Sequence, residues 1–335
     1  MAFPAVARFK SSKQCAGKGE TMRTVHTESP RKAAEFIMRG EIVAFPTETV
    51  YGLGANVFDE QALQKIFAAK NRPADNPFIV HVAAVEDIAL LAGRIPPSAE
   101  KFIEHFFPGP LTVIVPKRRT VPGAATAGLS TVGIRMPRHL IAQSFLKACG
   151  VPVAAPSANL SGSPSSTTWQ SAASDLDGRI SCILKGGQTA VGLESTVVDC
   201  TGGSPAILRL GGVTLEQLQA IIPSTRIAIP ASAKAAKSPG TKYRHYSPRA
   251  RVIIVVDETA VRATAHAAFI GTKAPKGGGK FRIKRIVPDV RIYAHELFHF
   301  FRLCDDLGVS TIYCLAVEPT GLGLALMDRI TRAAH

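Results

Sequence analysis

No uninterrupted apolar run in this chain approaches the ~20 residues of a membrane-spanning helix, which excludes that class. Cysteine is sparse and dispersed. Cys15, Cys149, Cys182, Cys200, Cys304 and Cys314 form no C-x-x-C pair and no dense framework, so they read as buried or incidental thiols in a reducing, cytoplasmic compartment. Clustered carboxylates that could cage a divalent cation are missing, as is an obvious nucleophile paired with a base. Acidic residues are in deficit, 25 Asp and Glu against 40 Lys and Arg, for a formal net charge of +15. One anionic substrate needs fewer cations than that, so weak RNA affinity is expected beside it. An RNA-binding module without catalytic activity, or a merely basic surface, fits the same number.

With 46% hydrophobic and 19% charged residues over 335 positions, the chain has the make-up of a soluble globular protein and room for two domains. Residues 1–23 stand apart, with several cations, the single acid Glu20 before Met22, and no apolar h-region for secretion. A transit peptide shares that composition, but the stretch reads first as a disordered tail or an over-extended start, with Met22 as a second candidate start.

The most informative stretch runs from Pro46 to Val82, PTETVYGLGANVFDEQALQKIFAAKNRPADNPFIVHV. A strand over residues 42–45 ends at Pro46 and delivers Thr47, Glu48, Thr49 and Tyr51 into a turn containing Gly52 and Gly54. That puts polar side chains at the carboxyl end of a strand, where open α/β sheets bind ligands. Asp59 is placed to cap a helix whose apolar face is Ala62, Leu63, Ile66 and Phe67, and which runs out at Lys70 and Arg72 before Pro73. In the next strand, residues 78–82, Phe78, Val80 and Val82 share one face and His81 the other. Singly, each piece has a bland reading: a solvated helix-end charge, a structural histidine, threonines bonding a turn. Together they suit a polyvalent anion.

Further helices are predicted over 30–39, 86–92 and 98–106, and strands over 111–115, 133–136, 151–155, 180–184, 196–200 and 206–210. Arg135 lies within an apolar strand and cannot shed its charge, so it needs an anionic partner, either a ligand or a structural carboxylate. Ser157 and Asn159 follow a strand in a Ser/Gly/Pro loop, fit for turn chemistry or for phosphate oxygens. Residues 222–248 shift to Ala, Lys, Ser and Pro and read as a linker. Beyond it come a strand at 251–256, a helix at 259–268, a strand at 285–287, a helix at 295–307, a strand at 311–317 and a last helix to Ala334. Such alternation predicts a small parallel-sheet domain. Within it, His295-Glu296-Leu297-Phe298-His299 matches H-E-x-x-H, with Glu318 downstream, the pattern of a zinc hydrolase with Glu296 as general base. Glu318 follows a strand and precedes Pro319-Thr320-Gly321, so it is not on the second helix which that chemistry normally uses.

PTETVYGLG followed by KNRPADNPFIVHV resembles the YrdC-type family of threonylcarbamoyl-AMP synthases. So do PGPLTVIVP (Pro108 to Pro116), VGIRMPRH (Val132 to His139), APSANLSG (Ala155 to Gly162), ESTVVDC (Glu194 to Cys200) and ILRLGGV (Ile207 to Val213), in the family's order. The segment SPGTKYRHYSP (Ser238 to Pro248) and the ending TGLGLALMDRITRAA resemble its longer, two-domain variety. Two departures are visible: Phe78 where the family often has Leu, and Ala154-Ala155 without the hydroxyl often found before the S-x-N block. The resemblance implies an α/β fold in which a twisted, mixed open sheet encloses a basic cavity (residues 24–222), then a linker and lid (223–249), then a small Rossmann-like parallel α/β domain (250–335). It implies a nucleotidyltransferase that makes L-threonylcarbamoyl-AMP and pyrophosphate from L-threonine, bicarbonate and ATP, with Mg²⁺ bridging the phosphates, and feeds tRNA threonylcarbamoylation through partner transferase proteins. Carried over residue by residue, Thr47, His81, Arg135 and Ser195 would hold threonine or its carbamate. Lys70, Arg72, Thr131, Ser157, Asn159, Ser165, Arg209 and Tyr246 would hold ATP, and Lys242, Tyr243, Arg244 and His245 would form a lid that excludes water from a labile product.

Overall fold

The computed structural model describes residues 23–228, 246–276 and 279–334. The expected tail before Met22 and the lid residues Lys242, Tyr243, Arg244 and His245 lie outside them. In chain order the first unit comprises β1 (Val25–Thr27), α1 (Pro30–Met38), β2 (Val43–Phe45), β3 (Gly52–Asn56), α2 (Glu60–Lys70) and β4 (Ile79–His81). A 3-10 turn (Glu86–Leu90), α3 (Pro97–Phe106), β5 (Leu111–Pro116), α4 (Gly123–Thr126), β6 (Thr131–Arg135), α5 (Leu140–Cys149) and β7 (Val153–Ala155) follow. The unit closes with α6 (Trp169–Leu176), β8 (Cys182–Leu184), β9 (Thr196–Asp199), β10 (Ala206–Arg209), α7 (Leu215–Ile221) and β11 (Arg226–Ile227). Among the described residues these strands form one mixed sheet in the order β1-β8-β2-β3-β7-β4-β6-β5-β9-β10-β11.

Local chemistry explains the ends of the helices that matter most. Ser29 caps α1, its Oγ accepting from the Lys32 amide, and Pro30 opens the first turn with its φ already helical. Asp59 caps α2 through the Ala62 amide, and Asn71, at φ 52°, ends it in the left-handed conformation that asparagine tolerates. Gly52 and Gly54 form no turn. They lie in β3, antiparallel to β2, and the bend falls at residues 48–50. A Cβ on Gly54 would sit 2.6 Å from Val153 Cγ1 and 3.0 Å from the Phe45 ring, so these glycines let β3 fit between β2 and β7.

The second unit holds β12 (Arg251–Val255), β13 (Ala267–Gly271), β14 (Ile283–Ile286), α8 (Val290–Asp306), β15 (Thr311–Leu315) and α9 (Leu322–Ala334). Its sheet is parallel throughout, in the order β12-β15-β13-β14. The helix predicted over 259–268 is not there. That segment leads into β13, a buried strand between β15 and β14, and tertiary pairing of Phe269 and Ile270 outweighs the helix preference of the alanines before them. The other helix is longer than expected: α8 starts at Val290 on an Asp289 cap instead of at His295. Likewise β11 lies in the stretch expected as linker and pairs with β10, carrying the large sheet on to Ile227.

The two units share a core. Val50, Leu193 and Tyr246 pack into the same buried cluster as Tyr293, Leu297, Phe298 and Phe301 of α8. Gly192, at φ 79°, presses so closely on α8 that a Cβ there would sit 2.4 Å from His295 Cα. Arg302 clamps α6 from α8, donating to both oxygens of Asp175 at 3.0 and 2.8 Å and to the Pro164 carbonyl.

Candidate active site

A polar cavity of about 720 Å³, counting its open mouth, lies against the large sheet. Its side chains come from strands that run in opposite directions. β2 and β7, which lead to Thr47 and Ser157, run one way, while β4, β6 and β10, which end in His81, Arg135 and Arg209, run the other. Each of these residues lies at or just past the carboxyl end of its own strand, as expected for Thr47 and Ser157, and the cavity draws on carboxyl ends from both directions. Neighbouring strands bring the groups together: His81 and Arg135 are register partners across β4 and β6.

Most of the expected residues line this one space: Thr47, Lys70, Arg72, His81, Arg135, Ser157, Asn159, Ser165, Ser195, Arg209 and Tyr246. Thr131 does not. It faces a smaller pocket with Phe78, Thr112 and Gly133, which shares Ile79 as a lining residue with the main cavity, and its hydroxyl has no hydrogen-bond partner. Among the described lining side chains four are basic, Lys70, Arg72, Arg135 and Arg209, and one is acidic, Glu194.

Each cation is held by protein oxygens, most of them neutral carbonyls. Lys70 Nζ, at the end of α2, donates to the carbonyls of Ser157 and Asn159 and so ties the loop after β7 to the helix. Burial, followed by the charge of Arg72, drives its ammonium well below the ordinary lysine range. Arg72 Nη2 donates to the carbonyls of Asn76 and Pro77 at 3.2 and 3.1 Å while its guanidinium lies over the Phe78 ring; burial and then Arg209 lower its pKa to about 10. Arg209 donates to the carbonyl and hydroxyl of Ser195, whose Oγ is also 2.8 Å from Thr112 Oγ1. Arg135 donates from Nε to the Gly109 carbonyl, and its Nη2 approaches Glu48 Oε2 at 2.8 Å, too poorly aligned to count as a hydrogen bond. Glu48 is thus the structural carboxylate that Arg135 required, and the guanidinium still faces the cavity.

The neutral groups are as informative. His81 packs edge-on against Phe45, its Nδ1 has no partner, and burial, then Arg135, lower its pKa to about 3. It is therefore an uncharged imidazole near neutral pH. Thr47 Oγ1 donates to the Val50 carbonyl at 2.7 Å and accepts from the Thr49 amide, so it shapes the bend and lines the cavity at once. Asn159 Nδ2 donates to the carbonyls of Leu160 and Ser163 and leaves Oδ1 without a partner. Tyr246 is buried at φ 68°, its ring stacked on Phe298.

Glu194 was visible in the sequence only as the neighbour of Ser195. Burial alone would raise its pKa, but Arg329 and Arg209 beside it, with the Ser165 hydroxyl, hold the carboxyl below the usual range. The H-E-x-x-H run does lie on α8, but Glu296 Oε1 takes Arg285 Nη2 at 2.8 Å, and among the described residues no three His, Cys, Asp or Glu side chains converge as a metal site. Among them, too, no helix is long and apolar enough to cross a membrane.

A cation-rich cavity against a mixed sheet marks an α/β protein built to bind anions. A family model described as "Telomere recombination", for Sua5, YciO and YrdC, matches residues 35–211, and a threonylcarbamoyl-AMP synthase C-terminal domain model matches residues 213–335. The threonylcarbamoyl-AMP synthase of Pyrococcus abyssi is 44% identical over 318 residues, 91% of this chain and 93% of that protein. That of Bacillus subtilis is 39% identical over 323 residues, covering 90% and 92%. The crystal structure of P. abyssi Sua5 complexed with L-threonine superposes with a TM-score of 0.84 at 41% identity, covering 93% of this chain and 97% of that one. This chain belongs to the Sua5/YciO/YrdC family, in its two-domain threonylcarbamoyl-AMP synthase form. Family membership at this level favours synthase chemistry over the zinc-hydrolase and RNA-binding alternatives.

Proposed function

We propose that the protein makes L-threonylcarbamoyl-AMP from L-threonine, bicarbonate and ATP with release of pyrophosphate, and supplies it to cytoplasmic transferase partners that modify an adenosine in the tRNA anticodon loop. The observation that carries the reading is the convergence of four basic side chains, Lys70, Arg72, Arg135 and Arg209, on one cavity whose described lining holds a single carboxylate, a setting suited to anionic ligands.

The threonine amine takes up CO2 to form a carbamate and loses a proton. A carbamate oxygen then attacks the α-phosphorus of ATP, and pyrophosphate leaves. Both reactants are anions, so the protein must offset their repulsion and align them, a task for fixed cations and dipoles. Arg135 is suited to the threonine carboxylate because its fork is already oriented by Glu48 and Gly109. His81, neutral, offers Nδ1 as an acceptor without adding charge, and Thr47 and Ser195 complete that half. Lys70, Arg72 and Arg209, with Ser157, Asn159, Ser165 and Tyr246, form the nucleotide half, and Thr131, which lines the smaller pocket, is not part of it. Glu194, the carboxylate in this lining, already has both oxygens engaged by Ser165 and Arg329. That donor set does not suit a protein-caged Mg²⁺, so the ion would enter with the nucleotide as MgATP.

Pyrophosphate release should require threonine and bicarbonate together. Replacing Arg135 by Ala should lower kcat/KM for threonine by about a hundredfold or more, as expected for loss of a charge-assisted bond to a reacting anion. Release that ignores threonine, or an Arg135→Ala enzyme with unchanged threonine kinetics, would contradict the assignment.

A further inference from the structure

The last helix brings into the catalytic unit a buried charge for which the chemistry above has no use. Arg329 of α9 is fully buried. Its Nε donates to Glu194 Oε2 at 2.8 Å, its Nη2 donates to the Leu210 carbonyl at 2.7 Å, and Nη1 pairs with Asp328. The guanidinium plane also covers the Tyr246 ring, 5.0 Å from its centroid. On the far side, Glu194 Oε1 accepts from Ser165 Oγ at 2.6 Å. Glu194, Ser165 and Tyr246 all line the cavity, so one side chain of the last helix touches or reaches three of its lining residues.

A carboxylate in the wall of a cavity built for polyanions is a liability. Buried and unpaired, it would repel an incoming triphosphate, because charges in a poorly solvated site are weakly screened. It would also draw on Arg209, the other cation that acts on it, and so reduce the positive charge left for ligand. Arg329 removes both effects from behind the wall. Glu194 can then hold Ser165 in place while its field is spent on a cation that the ligand does not meet. The same guanidinium, with Phe298 stacked on Tyr246, fixes a tyrosine whose left-handed backbone is unusual for a bulky residue.

We propose that Arg329 is a positioning residue of the catalytic cavity: by neutralising Glu194, the C-terminal domain completes the nucleotide half of the site, and ATP binding depends on that neutralisation. This rests on the synthase reading for the identity of the ligand, and the two can fail separately.

The test is ATP affinity by titration calorimetry on the full chain, with pyrophosphate release measured in parallel, for wild type, Arg329→Met and the double variant Glu194→Gln/Arg329→Met. Arg329→Met should weaken ATP binding by about tenfold or more, while KM for threonine changes by less than about threefold. The double variant, which leaves no unpaired carboxylate, should return ATP affinity to within about threefold of wild type, a rescue that a merely structural arginine would not allow. If Arg329→Met does not fold, the double variant alone decides: near-normal ATP affinity supports the proposal and a loss of about tenfold overturns it. Unchanged ATP binding in a folded Arg329→Met enzyme overturns it as well. Wild-type protein that binds ATP but never releases pyrophosphate would count against the synthase reading and leave the Arg329 result to stand or fall alone.

Discussion

His81 shows how burial decides the chemistry open to a side chain. Held neutral down to about pH 3 in the folded chain, against an ordinary value of 6.5, it cannot serve as a proton donor at working pH. The sign of its effect on stability follows. The unfolded chain takes up a proton at this histidine below about pH 6.5 and the folded chain does not, so the contribution is fully present above 6.5 and is lost as pH falls toward 3. A His81→Asn variant should therefore lose less stability than wild type between pH 6.5 and 4 in denaturant titrations, by roughly 1 kcal/mol per pH unit at most. Parallel curves would mean that His81 is solvated or paired after all. Residues like this one were legible where the signal is local: Asp59, Lys70 and Arg72 announce a capped helix that delivers cations, and they do so within that one helix and its immediate flanks. Glu194 and Arg329 are 135 positions apart, and no periodicity links them. Their pairing exists only once both sheets are built.

At the scale of elements, glycine placement was the hardest feature to read. Gly52 and Gly54 look like turn residues because glycine is the usual turn former, yet here they thin a strand so that Phe45 and Val153 can close over it. Gly192 performs the same service between units. Replacing it by Ala would strain a backbone at φ 79° and drive a Cβ into the main chain of α8, where no flexible side chain can yield. Gly192→Ala should cost about 2–3 kcal/mol in equilibrium unfolding, by analogy with overpacked cores, and should shift α8 with Phe298, which stacks on the cavity-lining Tyr246, raising KM for ATP. A variant as stable as wild type would contradict a close contact between Gly192 and α8. The predicted helix over 259–268 failed for the complementary reason: alanine content is a weak prior, and a central parallel strand overrides it.

The whole molecule is best described as one catalytic body made from two sheets. The composition pointed to two domains, and the order of strands and helices separated them correctly at the level of fold class. The extent of their fusion was not legible, because it depends on Val50, Leu193 and Tyr246 entering the core of α8 and on Arg302 and Arg329 crossing to Asp175 and Glu194. With that much shared, thermal unfolding should be a single transition by calorimetry, with equal calorimetric and van't Hoff enthalpies. Two resolved transitions would contradict a shared core. The central claim, that this body joins threonine, bicarbonate and ATP, is tested most directly by the mass of the nucleotide product after incubation with MgATP, L-threonine and ¹³C-labelled bicarbonate. The account predicts a threonylcarbamoyl adenylate carrying the label, formed with pyrophosphate and absent when either threonine or bicarbonate is withheld. ATP returned intact by folded enzyme, or AMP formed with no labelled adduct at any time, would contradict it.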